Sequence, residues 1–242
     1  MDTLSPSPES ARAEETRLFA AYAKRSKDDA RYSWFSPGYR FIIQEQEQRL
    51  LAFLKRYSLR SLDTSKILEV GCGTGYWLRE FVKWGAQPEH IAGVDLLPDA
   101  ITKAKQLCPP GVSLPRGSAA ELPFSDATFD LVLQSTVFTS VLDSSMRQRI
   151  ASEMLRVVKG DGLIFWYDFH VNNPRNTDVR GVKKGEIYQL FPGCHIQLQR
   201  ITLAPPLVRA LAPHSWLACY LLGKIPWLCT HYLGVIRKRK TT

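Results

Sequence analysis

The stretch Ile-Leu-Glu-Val-Gly-Cys-Gly-Thr-Gly at residues 67–75 decides the fold of this chain of 242 residues. Its first four residues have the pattern of a short buried strand, three glycines follow at alternate positions, and residues 76–84 have the spacing of a helix. A strand, a glycine loop and a helix in this order build the nucleotide-binding crevice of an open α/β sheet. Glycines suit such a loop because a ligand can approach the backbone where no Cβ atom stands in the way.

Glu69 and the spacing of the glycines narrow the class of ligand. The spacing is G-x-G-x-G, which differs from the phosphate-binding G-x-G-x-x-G, and the Lys-Ser/Thr pair of a P-loop is absent from the sequence. The carboxylate of Glu69 would repel a pyrophosphate and attract a cation. A second acid, Asp95, ends the apolar run 91–94, 20 residues after Gly75, where acids accept hydrogen bonds from ribose hydroxyls. The two acids favour a nucleoside that carries a positive group over a dinucleotide.

Three further segments follow the glycine loop and Asp95 along the chain. They are Gly-Ser-Ala at 117–119 followed by Glu-Leu-Pro-Phe at 121–124, Phe-Asp-Leu-Val-Leu at 129–133, and Glu-Met-Leu-Arg-Val-Val-Lys-Gly-Asp-Gly at 153–162. With these segments, the chain resembles the class I S-adenosylmethionine (SAM)-dependent methyltransferases. It is similar in particular to the type 11-like group, which is close to the ubiquinone, menaquinone and natural-product methyltransferases. The resemblance is clear over residues 40–170 and looser elsewhere.

The resemblance implies an enzyme with SAM as its cofactor and S-adenosylhomocysteine as its product. It assigns the methionine end of SAM to Glu69 and the glycine loop, the ribose to Asp95, and the adenine to residues 96 and 118–119. The residues that it assigns to the cofactor site are Glu69, Gly71, Cys72, Gly73, Gly75, Asp95, Leu96, Ser118, Ala119 and Gln134. Relatives often carry an acid in place of Ser118, and a serine cannot supply a charge-assisted hydrogen bond to the adenine.

Methyl transfer from SAM is a one-step displacement that in principle needs neither a metal nor a covalent intermediate. The protein has to align the reacting atoms and exclude water, and some acceptors also need a base. The candidate bases are Tyr167, Asp168 and His170, at the end of the fifth predicted strand, together with His195 and His214, and of these Tyr167 and His170 are preferred. Imidazole titrates near neutral pH, which suits proton removal, although a lone histidine is more often structural. No metal site is predicted, because the sequence shows no cluster of acids and histidines.

Strands and helices are predicted to alternate along the central part of the chain, which favours a parallel sheet. Strands are predicted near 66–70, 90–94, 112–115, 129–134, 162–169, 195–203 and 227–236, and helices near 76–84, 98–107, 144–158 and 183–190. The resemblance implies a Rossmann-like α/β fold with a mostly parallel seven-stranded sheet, an antiparallel last strand and helices on both faces. Residues 1–8 are expected to be disordered, 9–60 to form an N-terminal helical cap, and 61–242 to form the SAM-binding domain.

The positive charge of the chain is concentrated in its last third. Residues 1–168 hold 21 Lys+Arg and 21 Asp+Glu, whereas 169–242 hold 11 Lys+Arg and two acids, so the whole net charge of +9 lies there. This part also contains an insert at 204–226 that is rich in Leu, Pro, Trp and Tyr. We interpret the insert as a cap over the acceptor, as packing against the sheet, or as an interfacial membrane anchor, and these alternatives stay open.

Five cysteines, an odd number without a C-x-x-C pair, predict reduced thiols and neither a zinc site nor an iron–sulfur site. Reduced thiols fit a cytoplasmic protein. The apolar and basic residues between 204 and 240 add the alternative of a peripheral contact with the inner membrane surface.

The predicted function is methyl transfer to a small hydrophobic or lipid-linked acceptor, with oxygen as the first choice of atom and nitrogen or carbon as alternatives. An RNA or protein methyltransferase is the second hypothesis. Nucleic acid is disfavoured as a partner because the basic residues 237–240 alone do not make a groove with stacking aromatics. The third hypothesis is a SAM-binding or scaffold protein without transfer activity.

Overall fold

The computed structural model describes residues 8–24, 30–57, 62–174 and 176–239. The described helices are α1 (Pro8–Ala23), α2 (Pro37–Arg56), α3 (Tyr76–Lys83), α4 (Pro98–Leu107), α5 (Ser144–Val157), α6 (Lys184–Leu190), α7 (Pro205–Leu211) and α8 (Trp216–Leu222). The described strands are β1 (Ile67–Val70), β2 (Ile91–Val94), β3 (Phe129–Ser135), β4 (Val158–Phe169), β5 (Cys194–Leu203) and β6 (Cys229–Lys238). Short 3-10 turns lie at 30–32, 88–90 and 226–228. Apart from Pro8, the segment predicted to be disordered lies outside the described residues.

The strands form one sheet in the order β2-β1-β3-β4-β6-β5. Neighbouring strands from β2 to β4 are parallel, and β6 runs antiparallel to both β4 and β5. The predicted Rossmann-like fold with an antiparallel last strand is confirmed. Because Val70 pairs with Val94 and with Gln134, the carboxyl ends of β1, β2 and β3 meet at one edge of the sheet.

The predicted seventh strand, at 112–115, does not form. Ser113 and Arg116 make only isolated parallel bridges to Ala92 and Asp95, so the described residues contain six strands. The N–H of Ser113 donates to Ile91 O and the N–H of Gly93 donates to Ser113 O. The next amide that could donate to β2 would come from Pro115, which has no N–H, and the ladder therefore stops.

Helices cover both faces of the sheet, as predicted. Alternate residues of each strand point to opposite faces, so Ile67 and Leu68 enter different clusters of the core. Helices α2, α3 and α4 pack on the face of Ile67, and α1, α5 and α6 pack on the face of Leu68. Helix α2 begins at Pro37, because Pro37 occupies its first turn and Ser36 caps the N–H of Tyr39.

The insert between β5 and β6 folds as α7, α8 and a short turn. A small cluster of its own is formed by Phe41, Leu203, Val208, Ala212 and Cys219. The insert therefore packs on α2 and β5, as the packing alternative predicts. Its other side chains are largely exposed, and its role as a cap stays a prediction.

Candidate functional site

The glycine loop after β1 is built from three residues in the left-handed conformation. Gly71, Gly73 and Gly75 have φ angles of 69°, 52° and 74°. The carbonyl of Val94 accepts the N–H groups of Gly71 and Cys72 at 2.8 and 3.0 Å, which ties the loop to the end of β2. Side chains other than glycine rarely adopt this conformation, so the sequence pattern and the loop geometry agree.

The three glycines have different surroundings. A Cβ atom at Gly71 would lie 2.5 Å from Val137 Cγ2, and one at Gly75 would lie 2.5 Å from Cys108 Sγ. A Cβ atom at Gly73 would have no described atom within 4 Å. Gly71 and Gly75 therefore allow close packing within the protein, whereas Gly73 borders open space at the carboxyl edge of the sheet.

Asp95 lies on the same side of the crevice and contacts the glycine loop directly. Its Oδ2 accepts the N–H of Gly73 at 2.8 Å, and its Oδ1 accepts the N–H of Leu97 at 2.9 Å. Burial raises the pKa of the Asp95 carboxyl, and the two amide bonds oppose that rise. The carboxylate is therefore held in a fixed orientation beside the open space at Gly73.

Glu69 supplies a second carboxyl, which is almost fully buried. It is 3% exposed, and its Oε2 has no hydrogen-bond partner among the described residues. Burial raises the pKa of Glu69 well above its ordinary value, and the charge of Asp95 adds to the rise. A buried acceptor without a partner costs free energy unless a ligand satisfies it. A cationic ligand group beside the glycine loop would do so.

Cys72 fills space within the loop. It is buried, and burial raises the pKa of its thiol, so the thiol stays protonated and unreactive. All five cysteines are free.

The segment at 116–119 runs beside Asp95. The N–H of Gly117 donates to the backbone carbonyl of Asp95 at 3.1 Å, and the backbone of Arg116 forms an isolated parallel β-bridge with that of Asp95. Leu96 and Ala119 are half-buried and pack against the core, and Ser118 lies in the same turn. The structure thus brings together the residues for which the resemblance implies contact with ribose and adenine.

Gln134 lies at the end of β3 and is fully buried. Its Nε2 donates to Tyr167 O at 3.5 Å, and its Oε1 accepts the N–H of Val137 at 3.2 Å. Its amide therefore joins β3 to β4 and holds the turn whose Val137 packs against Gly71. Its contact with the cofactor stays a prediction.

Thr136, which follows β3, is a feature that sequence reasoning missed. Its φ angle is 61°, a conformation that costs a threonine about 1–3 kcal/mol. Its carbonyl accepts the hydroxyls of Thr139 and Ser140, both at 3.2 Å. No sequence signal could have identified it, because threonine does not favour this conformation.

The two preferred candidate bases lie on opposite sides of the sheet. The Tyr167 hydroxyl is buried between the Gln46 amide at 2.6 Å and the Thr202 hydroxyl at 3.0 Å, and burial raises its pKa. His170 is buried against the ring of Tyr232, and its Nε2 contacts Cys229 O at 3.1 Å. Burial lowers the pKa of His170, which keeps its ring neutral at pH 7.

The N-terminal segment contacts the loop that follows β3. Glu14 accepts the N–H of Leu142 at 2.5 Å, and Arg17 donates to the carbonyl of Ser140 at 2.5 Å. The Tyr22 hydroxyl lies 3.3 Å from the Ser140 hydroxyl. Helix α1 therefore borders the carboxyl edge of β3.

Aromatic residues that precede α2 reach the helix that follows the glycine loop. The rings of Trp34 and Tyr76 are 5.9 Å apart, and the Tyr76 hydroxyl donates to Glu47 at 2.5 Å. The segment at 32–36 therefore borders the opening of the crevice. Among the described residues, no group of three or more His, Cys, Asp or Glu side chains could hold a metal ion.

Comparison with known proteins finds similarity to methyltransferases. Residues 67–162 match the family model described as a methyltransferase domain. Demethylmenaquinone methyltransferase of Bacillus cereus is 32% identical over 117 residues, which are 46% of this chain and 48% of that protein. The 2-methyl-6-phytyl-1,4-hydroquinone methyltransferase of Synechocystis is 29% identical over 128 residues, 52% of this chain and 38% of that protein. The chain spans about half the length of the curated relatives it matches, or less.

A solved structure gives the same result for the fold. The SAM-dependent methyltransferase of Mesorhizobium loti superposes with a TM-score of 0.58 at 18% identity and covers 77% of this chain and 96% of its own. At this identity the similarity shows the fold alone. The matched segment, residues 67–162, contains β1, the glycine loop and Asp95.

Proposed function

We propose that this chain is a class I SAM-dependent methyltransferase that transfers a methyl group from SAM to a small hydrophobic or lipid-linked acceptor, at oxygen. The observation that carries the proposal is the arrangement at the carboxyl edge of β1 and β2. There, the carboxylate of Asp95 is fixed beside the open space at Gly73, and the buried carboxyl of Glu69, which has an oxygen without a partner among the described residues, lies close enough for the charge of Asp95 to raise its pKa.

The residues of this edge fit SAM in charge and in shape. Glu69 would accept hydrogen bonds from the ammonium group, and Asp95 from the ribose hydroxyls. Leu96, Ser118 and Ala119 would contact the adenine. When bound, SAM supplies a methyl group made electrophilic by the sulfonium.

A narrow apolar crevice lies at the carboxyl end of β3 and would have to open to admit a hydrophobic acceptor. It is lined by Gln46, Trp77, Leu133, Ser135, Phe165, Tyr167 and Leu233. Ser135 ends β3 and Trp77 lies in α3, so the crevice adjoins the glycine loop. The names of the two curated relatives, a demethylmenaquinone and a phytyl hydroquinone methyltransferase, support the same class of acceptor.

Transfer to a hydroxyl requires the loss of a proton. The predicted base His170 packs on Tyr232, on the opposite side of the sheet from Tyr167 and this crevice, so it does not take the proton of an acceptor bound in the crevice. Tyr167 stays protonated because burial raises its pKa, so its proposed role is to hydrogen-bond the acceptor at the wall of the crevice.

Transfer of a radiolabelled methyl group from SAM tests the proposal. The purified chain is incubated with a detergent-dispersed hydroquinone, a phenolic lipid, an RNA and an unfolded protein, and mass spectrometry identifies the methylated atom. We expect label on an oxygen of a lipophilic acceptor. Label on RNA or protein would overturn the proposed acceptor, and tight binding of S-adenosylhomocysteine without any transfer would indicate a SAM-binding protein without activity.

Binding of S-adenosylhomocysteine is expected to release a proton from Glu69. Burial raises the pKa of this carboxyl, so it stays protonated over a wider pH range in the free protein. The ligand ammonium favours the ionised form, which lowers that pKa and expels the proton. Affinity should therefore rise by up to about tenfold per pH unit below the free-protein pKa of Glu69, until the ligand amine itself loses its proton at higher pH. Calorimetry in two buffers of different ionisation enthalpy counts the protons.

Glu69→Gln keeps the shape of the side chain but removes the titrating group. It should bind without proton release, and Glu121→Gln on the surface is the matched control. Equal proton release from the wild type and from Glu69→Gln would mean that a group other than Glu69 releases the proton.

The proposal includes a peripheral contact with a membrane through residues 204–240, since a lipid-linked acceptor is held in a bilayer. Within the described ranges, every helix is too short or too polar to cross a membrane.

A further inference from the structure

Helix α8 exposes apolar side chains where a helix of a globular protein usually carries polar ones. Its sequence, Trp-Leu-Ala-Cys-Tyr-Leu-Leu, has no charged residue, and only Cys219 is fully buried. Leu217, Tyr220 and Leu221 are 67%, 52% and 57% exposed and form one stripe of the helix. Trp227, after α8, is 83% exposed. An apolar surface of this kind marks a contact with a partner or a membrane.

Cations surround this surface. The guanidinium of Arg40 lies 6.0 Å from the ring of Trp216, and the ammonium of Lys224 lies 4.2 Å from the ring of Tyr220. Arg209, on α7, is exposed beside the first turn of α2. No Asp or Glu occurs between residues 187 and 242, and the neighbouring Glu45 is 15% exposed and faces Arg49.

We propose that the outer surface of α7, α8 and the turn at 226–228, called here the insert face, binds the surface of an anionic lipid bilayer. The proposal rests on the proposed function, because the membrane would hold the lipophilic acceptor. Tryptophan and tyrosine rings beside Arg and Lys suit the interface, where rings enter the headgroup region and cations contact lipid phosphates. A second copy of the chain is disfavoured as the occupant, because two insert faces would bring like charges together.

The insert face lies next to the opening of the crevice. Phe41 contacts Trp216 with ring centres 5.7 Å apart, and a Cβ atom on Gly38 would lie 3.3 Å from Arg209 Cα. The segment before this turn of α2 contains Trp34, which contacts Tyr76 beside the glycine loop. Phe35, in the same segment, is 94% exposed. A bilayer on the insert face would therefore lie close to the site of methyl transfer.

Flotation with lipid vesicles tests the proposal. The full chain is mixed with vesicles of neutral phosphatidylcholine or with vesicles in which a third of the lipid is phosphatidylglycerol. We expect binding to the anionic vesicles to be at least about tenfold stronger and to weaken with added salt. Leu217→Glu with Leu221→Glu should reduce this binding by at least about tenfold. Quenching of tryptophan fluorescence by brominated lipid would locate the contact near Trp216 and Trp227.

The matched control is Leu107→Glu with Tyr188→Glu, two exposed apolar residues of α4 and α6 outside the insert face, which should leave vesicle binding unchanged. Circular dichroism and binding of S-adenosylhomocysteine check that both double variants fold. Equal binding of both double variants to anionic vesicles, or no binding by the wild type, would overturn the proposal. Dimers that disappear only in the Leu217→Glu, Leu221→Glu variant would make a second copy the occupant and would also overturn it. Methyl transfer to a detergent-dispersed acceptor is measured separately, so a failed membrane contact is distinguishable from a failed function.

Discussion

Asp95→Ala is expected to weaken the binding of S-adenosylhomocysteine by at least about 100-fold, because two charge-assisted hydrogen bonds to the ribose are lost at about 1.5–3 kcal/mol each. The variant also loses the acceptors of the Gly73 and Leu97 amides, so the loop becomes less fixed. Titration calorimetry gives the affinity. Asp95→Asn should lie between the wild type and the alanine variant, since it keeps one acceptor and loses the charge.

The matched control for Asp95→Ala is Asp161→Ala, which removes an exposed acid near the start of β4, at the other end of the sheet. It should bind S-adenosylhomocysteine as the wild type does. Thermal unfolding of both variants separates a binding defect from an unfolded protein. If a folded Asp95→Ala variant bound S-adenosylhomocysteine with nearly unchanged affinity, Asp95 would not be the residue that binds the ribose.

The parallel part of the sheet could be predicted from the sequence because each of its strands has a local signal. Residues 67–70, 91–94 and 129–135 are largely apolar runs, and the helices between them are marked by Gly75 and Gly85 around α3 and by Pro98 at the start of α4. The prediction of a strand at 112–115 was wrong because Pro115 has no N–H to donate to β2. Which amides face β2 is known only once the two segments are paired. Periodicity alone does not count the amides available to a ladder.

The sequence predicted which polar residues form the candidate site, but not which hydrogen bonds they make. Glu69 and Asp95 were identified by their positions at the carboxyl ends of two strands, because the topology brings the ends of parallel strands together. Glu69 Oε2 has no hydrogen-bond partner among the described residues, and the Gln134 amide bonds to backbone groups. Both facts depend on distances between elements, which a local sequence pattern does not contain. The left-handed Thr136 likewise follows from the tertiary structure around it.

For the insert, likewise, the sequence could not predict which apolar residues are buried and which are exposed. Its apolar residues were visible in the sequence, where they fitted a cap over the acceptor, packing against the sheet or a membrane anchor. Only the fold separates Val208 and Cys219, which are buried, from Leu217 and Leu221, which are exposed. Composition gives the amount of apolar surface, whereas packing decides which part of it remains for a partner.

Gly71→Ala and Gly73→Ala are expected to fail in opposite ways, although the residues are two positions apart. At Gly71 the methyl group would meet Val137 Cγ2 at 2.5 Å, and its φ of 69° disfavours alanine. The free energy of unfolding should fall by about 3 kcal/mol from strain and overlap together. Because valine is short and stiff, relief requires a smaller residue, and Val137→Ala should restore much of the stability of Gly71→Ala.

At Gly73 the added methyl group meets no protein atom, so the stability should fall by only about 1 kcal/mol, from the left-handed φ alone. The methyl group would occupy the space proposed for the ligand, and overlap of that kind weakens binding at least about tenfold. Gly193→Ala is the matched control, because Gly193 also has a positive φ and open space but lies before β5, at the far end of the sheet. Chemical denaturation and calorimetry should show equal stability for Gly73→Ala and Gly193→Ala, with a loss of binding in Gly73→Ala alone. Equal binding by these two variants would mean that the ligand does not lie against Gly73.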